Sequence, residues 1–131
     1  MVALGEMYRT GRGVPVDYGQ AKIYFDRAVE FYNYWGYRGL GKLYANGQGV
    51  PRDEAKAADY YLKGAENGDQ EAMLLLAEAL ERRGDIAGAK QWYLTAADYT
   101  INQLPRASYT RDFDTAPIAS KARAALQRID Q

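Results

Sequence analysis

Glu78 and Glu81 stand three residues apart, a spacing that sets two carboxylates side by side on one face of a helix. Paired carboxylates are what glycoside hydrolysis uses, one as acid and one as base or nucleophile. An ordinary solvated helix face carries the same pair at the same spacing, and that is the reading adopted for them. Two glycine motifs, Gly11-Arg12-Gly13 and Gly47-Gln48-Gly49, resemble phosphate loops in composition. Neither follows a strand pattern or leads into Gly-Lys-Ser/Thr, so the parts of a phosphate cradle are missing. The chain contains no His and no Cys. Ser-His-Asp and Cys-His catalysis, disulfides and Cys-type zinc sites are thereby excluded, and the commonest general base and metal ligand is gone. The expectation is a protein that is not an enzyme and uses neither cofactor nor metal.

Binding chemistry is better represented. The run Phe31-Tyr32-Asn33-Tyr34-Trp35-Gly36-Tyr37 holds five aromatic side chains in seven residues. Tyr and Trp offer large apolar area with a polar handle and are enriched at binding hot spots. In one reading these rings contact a partner, with Trp35 the leading candidate. In the other, the turn at this point is lost, one helix runs on, and the rings cover its neighbours. Both stand on the sequence alone.

The whole-chain balance narrows the partner. Lys plus Arg number 17 and Asp plus Glu 17 in 131 residues, for zero formal net charge. A nucleic-acid binder normally carries a basic excess, so none is expected. No apolar run approaches the ~20 residues of a membrane helix, and Glu6 and Arg9 interrupt any signal-peptide pattern at the start. The chain reads as soluble without membrane insertion, its compartment open.

The elements that position these residues come in copies. A shift of 36 residues sets Leu4 on Leu40 and Leu76, Tyr8 on Tyr44, Gly11 and Gly13 on Gly47 and Gly49, Pro15 on Pro51, and Asp17 on Asp53. A fixed period of this size marks a stacked repeat. In the second copy Gly36, Leu40, Leu43 and Tyr44 form a helical stripe. The glycines after Asn46 end that helix, Pro51 forbids its continuation, and Asp53 caps the next. That next helix turns Ala57, Tyr60, Tyr61 and Ala65 inward. The third copy keeps Leu76, Ala77 and Leu80, then Ala89, Trp92, Tyr93, Ala96 and Ala97, and shortens only the turn, to Arg82-Arg83-Gly84-Asp85.

Pro105 is expected to end the third copy's second helix, with a loop over Arg106 to Asp114. Asp114 or Thr115 then caps a last helix with Ile118, Ala122, Ala125, Leu126 and Ile129 on one face. Such a helix would close an array that otherwise ends on an apolar side. The first helix starts late, since the position matching Gly36 and Ala72 would precede Met1. Either the chain is a piece of a longer array or its first helix is naturally short.

The pattern Leu-Gly-x-x-Tyr-x-x-Gly-x-Gly-Val-Pro-x-Asp-x-x-x-Ala, at Leu4 to Ala21 and Leu40 to Ala57, resembles the Sel-one-like repeat, a relative of the tetratricopeptide repeat. The resemblance covers about residues 1–98, and the third turn departs from it. It implies an all-α fold: a right-handed α-solenoid of three stacked helix-turn-helix repeats, about 1–33, 34–69 and 70–98. A loop and a C-terminal capping helix follow over 99–131. It also implies a concave surface lined by the first helices, which in relatives holds peptides or proteins. Members are mostly adaptors and scaffolds, some periplasmic and some neutralising toxic effectors.

The face opposite each buried stripe supplies the candidate contacts. These are Glu6 and Arg9 in the first copy, Trp35, Arg38 and Lys42 in the second, and Glu71, Leu74, Glu78 and Glu81 in the third. Such a groove is basic and aromatic at its centre and acidic towards the third copy, which suits a peptide or protein of mixed charge. The alternative is a fragment of a larger scaffold, in a secretion, polysaccharide or effector-neutralising system, with a structural or carbohydrate-accessory role.

Overall fold

A computed structural model describes residues 1–103 and 115–130. Seven helices lie among the described residues, and no strand: α1 (Val2–Thr10), α2 (Tyr18–Glu30), α3 (Trp35–Asn46), α4 (Glu54–Glu66), α5 (Gln70–Arg82), α6 (Ile86–Gln103) and α7 (Thr115–Ile129). The fold is all-α, as expected. Two compact units divide the chain, residues 1–69 and 70–131.

In the first unit α1 packs on α2, α2 on α3 and α3 on α4. Asp17 caps α2 by accepting the Gln20 N–H at 3.1 Å, and Asp53 caps α4 by accepting the Lys56 N–H at 3.0 Å. Each cap satisfies a donor that the helix itself leaves orphaned. Gly47 ends α3 in the left-handed conformation, and Gly49 follows with φ +75°. Both glycine motifs are therefore helix punctuation. Ala21, Phe25, Leu40 and Leu43 form the core, with Tyr8, Tyr18, Val29 and Tyr60 packed around it. The Phe25 ring is fully buried, and the glycines facing it let it in: a Cβ on Gly5 or on Gly39 would lie 2.5 or 2.4 Å from its Cε1. Tyr61 takes the corresponding place against Gly41. α1 has 9 residues where α3 has 12.

The turn between α2 and α3 is kept. The reading in which one helix runs on through Phe31 to Tyr37 is overturned. α2 stops at Glu30, Tyr32 takes φ +64°, and α3 begins at Trp35. The N–H of Asn33 donates to the Ala28 carbonyl at 2.8 Å and that of Tyr32 to Val29 at 3.0 Å, closing the helix end.

In the second unit α5 packs on α6, and α7 packs on both. Small residues make the contact: Ala72, Ala77, Ala89, Ala96, Ala119 and Ala122 are buried, with Tyr93 the largest buried side chain among them. The buried Gln70 amide donates to the Ala96 carbonyl at 2.6 Å, joining α5 to α6. Asp85 caps α6 through the Gly88 N–H at 3.0 Å. Ile118, Leu126 and Ile129 are half-buried on α7 and Lys121, Arg123, Gln127 and Arg128 exposed, as the helical pattern predicts. Pro105 as terminator, the loop over Arg106 to Asp114, and Asp114 as a cap lie outside the described residues.

Candidate protein-binding face

In the first unit Glu6 and Arg9 share a face of α1, and Trp35, Arg38 and Lys42 share a face of α3. Arg9 donates to both carboxylate oxygens of Glu6, at 2.7 and 3.3 Å. Burial works against the Glu6 carboxylate. The hydrogen bond from Arg9 and the charges of Arg9, Lys42 and Arg38 outweigh it and hold the group below its ordinary value. Lys42 and Arg38 thus lie close enough to act on Glu6, so α1 and α3 contribute to one charge cluster. Arg38 also pairs with Asp69 at 3.3 Å, and Asp69 is only 3 % exposed.

Trp35 stands beside it, 57 % exposed. Its backbone N–H is held by the Asn33 side-chain oxygen at 3.3 Å. The aromatic run divides in two. Tyr34 stacks on Tyr37 at 6.1 Å, Tyr37 on Tyr60 at 6.2 Å, and Tyr60 on Tyr44 at 5.6 Å. Lys56 and Lys63 lie over rings of that ladder, where cation–π attraction adds to packing. These tyrosines tie α3 to α4. Phe31, Tyr32 and Trp35 are left exposed.

In the second unit Glu71 and Glu78 are half-buried on α5, and Leu74 is 6 % exposed. Leu74, Glu78 and Glu81 line a cleft of about 640 Å3 with Tyr93, Lys121 and Arg128. Arg128 grips both oxygens of Glu81, with Nη2 2.9 Å from Oε1, and the Tyr93 hydroxyl donates to the same carboxylate at 2.8 Å. Hydrogen bonding by Arg128, helped by Tyr93 and opposed by burial, holds Glu81 down at about 2. Burial and the neighbouring carboxylate push the Tyr93 hydroxyl up. A catalytic acid needs a raised pKa. Glu81 is instead held low by Arg128 and Tyr93, ionised at neutral pH as a tie between α5, α6 and α7, the opposite of what a catalytic acid needs.

Reading the sequence missed Asp69, Tyr93, Lys121 and Arg128 as parts of these sites. Tyr93 carried a signal, but for the core; Arg128 lies 47 residues from Glu81 and carried none. Among the described residues no group of three or more His, Cys, Asp or Glu could hold a metal, and no helix is long and apolar enough to cross a membrane.

Helix pairs repeated in phase, with Asp17, Asp53 and Asp85 capping the second helix of each pair, define a helical-repeat protein. The Sel1 repeat family model matches residues 1–30, 36–69 and 70–98; the chain belongs to the Sel1 repeat family. Its fold is similar to that of a Sel1 repeat protein from Oxalobacter formigenes, with 28 % identity and a TM-score of 0.68 over 97 % of this chain. The match spans 56 % of that protein's chain. No curated protein matches the sequence. Sel1 repeats are generally protein–protein interaction modules, and the family is typically non-catalytic.

Proposed function

We propose that the chain is a non-catalytic adaptor that binds a peptide or protein partner through the face of its first helices. Glu6, Arg9, Trp35, Arg38 and Lys42 serve on the first unit, and Glu71, Leu74, Glu78 and Glu81 on the second. The observation that carries this reading is the charge cluster of α1 and α3 with exposed Trp35 on the same face of α3. An apolar anchor beside charged groups is the usual composition of a binding patch. Leu74, nearly buried, supplies the apolar lining of the α5 cleft rather than a projecting contact.

The test is affinity capture with the wild-type chain beside a Trp35→Ala, Arg38→Glu, Lys42→Glu variant shown by circular dichroism to stay helical. A protein held by the wild type alone, then confirmed by titration with the purified pair, supports the reading. Equal capture by both chains refutes it.

A further inference from the structure

Four tyrosine rings form a row between α3 and α4. They run Tyr34, Tyr37, Tyr60, Tyr44, with centroids 6.1, 6.2 and 5.6 Å apart and interplanar angles of 4°, 29° and 22°. Tyr60 is the hub, since it comes from α4 and both of its ring neighbours, Tyr37 and Tyr44, come from α3. The positions of Tyr44 and Tyr60 carry stacked Tyr8 and Tyr24 in the first repeat, at 5.7 Å and 7°, and Leu80 and Trp92 in the third. The third helix pair is therefore built without tyrosine at these positions. The positions of Tyr34 and Tyr37 carry Gln70 and Met73 there, so the row of four belongs to the second repeat.

Rings stacked at these separations are offset, so it is their edges that overlap, and the edges carry the carbons ortho to the hydroxyl. A tyrosyl radical holds much of its unpaired electron on those carbons, and two such radicals in contact couple there. All four rings are half-buried. They are open enough to give up an electron and a phenol proton, and enclosed enough that each meets its neighbour before another molecule. Tyr32, 79 % exposed, is the opposite case. Side chains that usually absorb oxidants are scarce, with 12 Tyr against no Cys, 3 Met and 2 Trp. An isolated pair such as Tyr8 and Tyr24 couples only when both of its rings are oxidised together. In a row of contacting rings, a radical formed at any member passes along until it meets a second.

We propose that this row is an oxidative cross-linking site, in which Tyr60 of α4 couples to Tyr44 or Tyr37 of α3 when a peroxide-driven one-electron oxidant acts on the chain. Each of the two phenols loses one electron and one proton. The radicals form one carbon–carbon bond between ortho positions, and the two ortho hydrogens move to the oxygens and restore both phenols. One hydrogen peroxide takes up the two electrons and two protons and leaves as two waters. The resulting dityrosine ties α3 to α4 and restrains the unfolded chain as a disulfide would, in a protein that has no Cys.

The experiment treats the full chain, native and dilute, with hydrogen peroxide and a haem peroxidase, and separates monomer from dimer by denaturing electrophoresis. The expected product is a monomer two hydrogens lighter, with dityrosine fluorescence and a raised Tm. In its tryptic map the peptide holding Tyr60 is joined to the one holding Tyr44 or Tyr37. Tyr60→Phe keeps a ring in the stack and should lose most of this product. Tyr37→Phe with Tyr44→Phe removes both phenols that stack on Tyr60 and should lose it equally. Melting curves of the untreated variants confirm that they fold. Tyr32→Phe should lower the yield of dimers and leave the monomer product unchanged. Unfolding in urea should abolish the preference for Tyr60. A treated wild type without dityrosine inside the monomer overturns the proposal, as does a bond that maps to Tyr8 and Tyr24 or to Tyr34 and Tyr37 in place of Tyr60. A Tyr60→Phe chain that cross-links as well as the wild type also overturns it. So does an unchanged set of bonds in urea, which would make closeness along the chain the cause and not the stacked row.

Discussion

Gly39→Ala should destabilise the protein although alanine is the better helix former. Within α3 the exchange gains about 1 kcal/mol of helix propensity. Against that, the new Cβ would lie 2.4, 2.5 and 2.6 Å from Cε1, Cδ1 and Cζ of Phe25. The ring has little room to retreat, because it also lies close against Gly5, where an added Cβ would meet the same three atoms at 2.5 to 3.0 Å, and Phe25 is 0 % exposed. Overpacking a closed core costs about 1–3 kcal/mol, and a ring held between two helices belongs at or above the upper end. The expected net loss is about 2 kcal/mol, which lowers Tm by roughly 8 °C in a chain of this size.

Gly19→Ala is the control. Its Cβ would meet only Asp17 Oδ1, at an ordinary 3.4 Å, so that exchange should be neutral or stabilise by up to about 1 kcal/mol. Adding Phe25→Leu to Gly39→Ala should relieve part of the overlap, giving a coupling of about 1 kcal/mol between contacting sites. Urea and thermal unfolding of Gly39→Ala, Gly19→Ala, Phe25→Leu and the Gly39→Ala, Phe25→Leu double variant measure this directly. A Gly39→Ala protein as stable as the wild type would refute the argument that close approach, rather than turn chemistry, selects this glycine.

Other outcomes follow from single features. Gly49→Val should cost about 2–3 kcal/mol, since φ is +75° and a Cβ there would lie 2.7 Å from that of Tyr18; an unchanged melting temperature would contradict the turn. Asp53→Ala should cost about 1 kcal/mol by orphaning the Lys56 N–H, with Asp53→Asn close to neutral; equal losses would remove the cap from the account. Tyr32→Gly should raise stability by about 1 kcal/mol by releasing a left-handed tyrosine, and a lower Tm would show that its ring contacts outweigh the strain. Glu81 is held at about 2 against an ordinary 4.5. Its contribution is therefore complete above pH 4.5 and is lost as pH falls towards 2. The Tm gap between wild type and Glu81→Gln should close over that window, and a gap that persists at pH 2 would deny the ion pair its role.

Much of this fold was legible because its signals are local. A period of 36 residues, Asp17 and Asp53 before their helices, and Gly49 after Gly47 each act through neighbours within a few residues, where spacing determines geometry. The site was less legible because it depends on contacts between helices. Tyr34 and Tyr37 look no different in sequence from Tyr32, yet Tyr34 stacks on Tyr37 and Tyr37 on Tyr60, while Tyr32 stays exposed. Leu74 lies opposite the stripe of α5, but it is nearly buried, in a cleft that Ala124 and Ala125 of α7 help to line. A projection of α5 alone leaves that neighbour out. Glu81 read as part of a solvated helix face, but Arg128 from α7 pairs with it.

Internal repetition separates these two kinds of information. Where copies agree, as at Asp17 and Asp53 or Gly13 and Gly49, the backbone conformation explains the residue and no partner need be invoked. Where one backbone conformation carries different side chains, the fold cannot be the reason for the difference. Tyr32 against Gly68 and Gly84 is the sharpest case, because the N–H groups of that residue and of the next make corresponding hydrogen bonds in all three turns. Trp35 against Glu71 follows the same logic at the first residues of α3 and α5. Tyr34 and Tyr37 fail the test in the other direction. They also differ from Gln70 and Met73, but stacking down to Tyr60 accounts for them. The divergent positions that packing leaves unexplained are Phe31, Tyr32 and Trp35, and they occupy one turn beside the charge cluster of α1 and α3. Substitutions at these three positions should therefore change what the protein binds while leaving its helices intact, whereas substitutions at Asp53, Gly49 or Gly39 should do the reverse.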